Sequence, residues 1–173
     1  MADGMQLKFE IAGEKQVSRF FDVAVDSISD FSPVYSKIAD EFRETQDKVF
    51  NAEGSFEGRA RWAPLTKGYK NWKDANFPGK PILTLTGDLR RSFVKGGKNH
   101  VYDVTEKELS VGSKDPKAMF HQLGTKLAPQ RKIVEITEPQ KTRWVKIVHT
   151  SIWDSLSAAA KQAMQSGNVA GRR

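Results

Sequence analysis

The sequence predicts an α+β fold, a small antiparallel sheet packed against helices, interrupted by one long basic and aromatic loop. Three observations predict it. Apolar residues recur at helical spacing over 34–50 and 144–160, short runs alternate at period two near 5–11 and 101–112, and the helical period vanishes over about 54–81. A chain of 173 residues, 38% of them hydrophobic, is long enough for one domain of modest core. That domain is expected over 1–165, with a flexible basic tail at 166–173.

The elements follow in order. Met5, Leu7, Phe9 and Ile11 alternate with polar residues, as in a half-buried strand that Gly13 ends. Val17, Phe20, Phe21, Ala24, Val25 and Ile28 share one helical face. Ser32-Pro33 offers a cap and a first-turn proline for a second helix running to about Ala52, and the two helices are expected to pack as a hairpin. Between Gly54 and Pro81 no helical stripe appears; Phe56, Trp62, Tyr69, Trp72 and Phe77 alternate instead with Arg59, Arg61, Lys67, Lys70, Lys73 and Lys80. Five aromatics argue against disorder, so this loop is expected to pack on something.

Thr86-Gly87-Asp88 caps a short helix carrying Leu89 and Phe93. Val101–Thr105 and Leu109–Gly112 form a hairpin about Glu106-Lys107. Asp115-Pro116 starts a helix through Ala118, Met119 and Leu123 that Gly124 stops. Arg131–Ile136 reads as a strand. Thr137 and Gln140 suit a capping box for a last long helix striped by Trp144, Val148, Ile152, Leu156 and Ala160.

Charge divides unevenly. Residues 1–54 hold 6 basic and 11 acidic side chains, while 55–173 hold 22 and 10. Three readings fit: solvated faces, an acidic half that docks on the basic half of a neighbouring copy, or a basic surface for nucleic acid. Cysteine is absent, which excludes disulfides and thiol catalysis. No apolar run reaches the roughly 18 residues of a membrane span, and the start of the chain lacks the pattern of a signal peptide. A soluble chain made in a cytoplasm, away from membranes, is expected.

No catalytic constellation is visible. His100, His121 and His149 are scattered, and none forms a helical metal pair. Lys95-Gly96-Gly97-Lys98 lacks the glycine and hydroxyl of a phosphate loop, and nothing joins a nucleophile, a base and an orienting group. The chain is expected to be no enzyme and to need neither cofactor nor metal.

Three segments in order carry a resemblance: Arg61-Trp62-Ala63-Pro64-Leu65-Thr66; Ile82-Leu83-Thr84-Leu85-Thr86-Gly87-Asp88-Leu89-Arg90-Arg91-Ser92-Phe93; and Ala118-Met119-Phe120-His121-Gln122-Leu123-Gly124-Thr125, the last followed by Arg131. From about Phe42 to Ile136 the chain resembles the phage virion morphogenesis family, the tail-completion proteins of Mu-like and P2-like phages. The segment after Gly124 departs from the family pattern.

The resemblance implies a virion protein of the neck or tail end, made in the host cytoplasm, that completes the tail and joins it to the DNA-filled head. It implies kinship with ring-forming tail terminators and head–tail connectors. On that reading the partners are further copies in a homohexameric ring, tail-tube and head-connector proteins, and genome DNA in the lumen. The subunit or partner interface is expected at Arg59, Arg61, Trp62, Tyr69, Trp72, Arg90, Arg91, His121 and Arg131. Trp62 has a second reading as a core anchor. The alternative function is a nonspecific DNA-binding accessory protein, using Arg59, Arg61, Lys70 and Lys73.

Overall fold

The computed structural model describes residues 21, 22, 24, 25, 29–94 and 96–169, with side chains left out at 163 and 166–169. The expected strand at Met5–Ile11, most of the helix over 17–28 and residues 170–173 of the tail expected at 166–173 lie outside the described residues, while 166–169 continue the last helix. Two compact units result, Phe31–His149 and a second drawn from Met1–Asp30 and Thr150–Arg173.

The described residues form five helices and a two-stranded antiparallel sheet, an α+β fold. Helix α1 spans Ser32–Asn51. Its apolar period points Val34, Ala39, Phe42, Val49 and Phe50 inward. Pro33 occupies the first turn as expected, but the N-cap position falls on Phe31, one residue before Ser32, and carries no side-chain cap. The helix start is tied elsewhere: Phe31 N–H donates to the Glu106 carbonyl at 3.1 Å, and the Tyr35 hydroxyl donates to the Lys107 carbonyl at 3.2 Å.

Those acceptors sit on the turn of the hairpin. Strands β1 (His100–Val104) and β2 (Leu109–Ser113) pair with His100 opposite Ser113 and Val104 opposite Leu109, the hairpin the alternation predicts. Thr105 Oγ1 accepts from the N–H groups of Lys107 and Glu108 and closes the turn. Helix α3 (Asp88–Val94) buries Leu89, Ser92 and Phe93 and packs against both α1 and the sheet.

The long segment 54–81 is not wholly irregular. It contains a helix, α2, over Lys67–Asn76. Periodicity misses α2 because its buried position is a lysine. Lys73 is 3% exposed and donates to the carbonyls of Lys80 and Pro81 at 2.8 and 2.6 Å. The side chain thus satisfies two loop carbonyls that would otherwise need other partners.

The strand expected at Arg131–Ile136 is also absent. Helix α4 (Pro116–Leu123), capped by Asp115 as predicted, presents Gln122 to this segment. Gln122 Oε1 accepts from the N–H groups of Ile133 and Val134 at 2.8 and 2.9 Å, and its Nε2 donates to the Val134 carbonyl at 2.7 Å. One amide side chain takes the place of a neighbouring strand.

Helix α5 (Glu138–Val169) completes the described chain. Its predicted stripe, Trp144, Val148, Ile152, Leu156 and Ala160, is half-buried throughout. Of the expected capping box one half forms, Gln140 N–H to Thr137 Oγ1 at 3.4 Å. In Phe31–His149 the core centres on Phe42, Val49, Phe50, Trp62, Ile82, Leu89, Phe93, Ala118 and Ile133. Phe50 meets the edge of Trp62, with ring centroids 5.4 Å apart.

Candidate functional site

Segments 61–66, 82–93 and 118–125 converge on one place. Trp62, Ile82, Leu89, Phe93 and Ala118 meet in the core. Above them a cavity of about 450 Å3 is lined by Leu65, Tyr69, Leu83, Leu89, His121 and Leu127, with Lys73, Asp88, Lys117 and Arg131 as its charged members. Leu83 holds φ at 63°, a backbone state rare for a leucine, and lines this cavity. His121 Nδ1 is buried without a hydrogen-bond partner. Burial first, and the Arg131 charge second, push its pKa below the ordinary 6.5, so the imidazole is neutral at pH 7.

The segment 131–135 forms one side of this region and is fastened by side chains. Trp62 Nε1 donates to the Lys132 carbonyl at 2.7 Å. Arg131 donates from Nε to the Ala63 carbonyl at 2.8 Å and from Nη2 to the Pro64 carbonyl at 3.0 Å. Arg59 reaches the Glu135 carbonyl from Nε at 2.9 Å and from Nη2 at 2.6 Å. Its Nη2 also meets Gln140 Oε1 at 2.9 Å. Burial lowers the pKa of both arginines, and five hydrogen bonds between them return part of that desolvation cost.

Beside Arg59 lies a second polar cluster. Arg143 pairs with Glu41 at 2.7 Å and with Glu57 at 2.6 Å. Trp144 Nε1 donates to Glu41, and Gln140 Nε2 donates to the same carboxylate at 3.4 Å. The hydrogen bond from Arg143 holds the Glu57 carboxyl below its ordinary pKa, and Glu57 in turn raises that of Arg143. These bonds lock α1, the 57–59 turn and the start of α5 together. They describe a brace and leave no group poised for chemistry. Among the described residues no group of three or more His, Cys, Asp and Glu could hold a metal ion, and no helix is long and apolar enough to cross a membrane.

The nine residues singled out from the sequence therefore separate. Arg59, Trp62 and Arg131 are buried and direct their donors into the fold. Arg61 is exposed and paired with Glu53 at 2.7 Å. Tyr69 and Trp72, 43% and 47% exposed, stack on the outer face of α2 with centroids 5.5 Å apart. Arg90 grips Asp47 of α1 at 2.6 Å, and Arg91 pairs with Asp88 in its own helix. Tyr69, His121 and Arg131 share the cavity; the others do not reach it.

The helix expected through Ala118, Met119 and Leu123 forms, and its spacing leaves open which side faces inward. Ala118 is the buried residue, whereas Met119, Phe120 and Leu123 are each more than half exposed. Leu127, at the cavity mouth, is 98% exposed. Together they make an apolar ridge that the sequence marks only by Gln122, whose bonds to Ile133 and Val134 turn the opposite side of the helix inward. Exposed apolar groups at this density mark interaction surfaces.

Comparison with curated proteins and with solved structures finds no match. The sequence profile of the phage virion morphogenesis family, by contrast, matches residues 13–150. That span holds all three converging segments, the cavity they line and the arginine brace beneath it. The chain belongs to the phage virion morphogenesis family.

Proposed function

We propose that the chain is a structural component of the neck or tail end of a phage particle, completing the tail and joining it to the DNA-filled head. The observation that carries this reading is the apolar ridge of Met119, Phe120, Leu123 and Leu127 on a chain of this family. A surface of that kind is costly to leave in water and gains free energy when covered by protein. Further copies in a homohexameric ring supply such cover, with tail-tube and head-connector proteins above and below and genome DNA passing through the lumen. The chain acts by assembling, not by catalysis.

Nonspecific DNA binding has weaker support. Of the four basic residues it relies on, Arg59 and Lys73 are buried and spend their donors on backbone carbonyls. Arg61 and Lys70 are each neutralised by a carboxylate, Glu53 and Asp74. The test is electron microscopy of a phage lacking this chain. Free full heads beside unjoined or abnormal-length tails are expected; normal joined particles would overturn the reading.

A further inference from the structure

Two exposed apolar surfaces of this chain carry opposite charge. The first is the α4 ridge. Residues 114–132 around it hold five lysines and arginines and one aspartate, Asp115. That aspartate is spent as the helix cap, while Lys114, Lys117 and Lys126 are exposed. The second surface belongs to the other unit. Phe21 and Val25, one helical turn apart, are 60% and 66% exposed while Ala24 is buried. Exposed Asp22 stands next to Phe21 in the chain. Residues 21–30 contain three aspartates and no basic side chain.

We infer that the lysine-rimmed α4 ridge of one copy receives the aspartate-flanked apolar face of Phe21 and Val25 of a second copy. The inference rests on the assembly reading above and names the surfaces that the assembly uses. Apolar residues supply the area, and the opposite rims set orientation and exclude like-to-like pairing. Because the two surfaces differ, the contact is head-to-tail. A head-to-tail contact leaves one of each surface open at the ends until a ring closes, which a two-fold dimer does not.

The absence of cysteine makes the test clean. Val25→Cys and Leu123→Cys are placed singly on separately tagged chains, supplied together to cells infected by a phage lacking its own copy, and the lysates are oxidised. Disulfide dimers joining the two different tags, and a ladder of higher species when one chain carries both substitutions, are expected. Same-tag dimers alone, a bridge within a single chain, or monomers only would overturn the inference. A charge exchange makes a second test: Lys117→Glu is expected to reduce incorporation into particles several-fold, and Asp22→Lys on the same chain to restore it. Loss without restoration would count against the pairing. These results are separable from particle morphology in the null phage. Joined normal particles there would end the tail-joining function while leaving a cross-linked contact standing, and failed cross-links with unjoined tails would end only the interface.

Discussion

A Cβ atom on Gly54 would lie 2.6 Å from Cδ1 of Trp62, closer than any side chain tolerates. Gly54 also holds φ at 92°, where a side chain is strained whatever the space. Gly54→Ala must therefore move the tryptophan whose indole holds the Lys132 carbonyl. We expect a loss of roughly 2–3 kcal/mol by urea denaturation, combining overpacking with backbone strain. Gly58→Ala is the control, since φ is 80° there but nothing lies within 4 Å. It should lose only about 1 kcal/mol.

Gln122 makes a sharper case, because one atom can be exchanged for another of nearly equal size. Gln122→Glu keeps the acceptor for Ile133 and Val134 but turns the Nε2 donor into an oxygen facing the Val134 carbonyl. A destabilisation of about 1–3 kcal/mol is expected from the lost donor and the opposed oxygens. Acidifying the solution should recover part of it, as the protonated acid can donate again. An unchanged denaturation midpoint at both pH values would contradict the role assigned to this side chain.

Much of the fold is legible in the sequence where burial and apolar character coincide. Helix α1, the β1–β2 hairpin and the Asp115 cap follow from spacing and turn chemistry alone. The misses share one cause: polar side chains doing work usually done by apolar residues or by strands. Lys73 anchors α2, Gln122 pairs with 131–134 as a strand would, and Arg59 and Arg131 act as internal braces although arginine beside aromatics resembles an interface. The exposed ridge was hidden for the converse reason. Methionine, phenylalanine and leucine on a short helix suggest a core, and only contacts reveal which side faces in.

The Glu57–Arg143 pair makes stability depend on pH in a definite direction. Hydrogen bonding to Arg143 lowers the folded pKa of Glu57 below its ordinary 4.5. A carboxyl depressed on folding contributes stability that is fully present above the unfolded pKa and lost as pH falls through the folded one. The melting temperature should therefore drop as pH falls below about 4.5. Glu57→Gln should lower stability at pH 7 and flatten this acid limb. A mutant limb as steep as the parent's would place the dependence on other carboxylates, of which Glu53, lowered by Arg61 and the Ile82 N–H, is the first candidate.

Helix α2 separates fold from assembly within ten residues. Lys73 lies inward with both carbonyl contacts, so Lys73→Ala leaves two loop acceptors unmatched and should cost about 1–3 kcal/mol. Trp72, its neighbour, is half exposed and touches Tyr69 and Phe77 on the outer face. Trp72→Ser gives up that surface stacking and the covered part of the ring, and should cost about 1–3 kcal/mol. If the outer face of α2 meets a neighbour in the particle, the second substitution should nonetheless cut infectivity far more than its stability loss explains. The measurement pairs a denaturation curve with a plaque count for each variant. Equal plaque counts for Trp72→Ser and the parent would remove α2 from the interface and leave the α4 ridge to carry assembly alone.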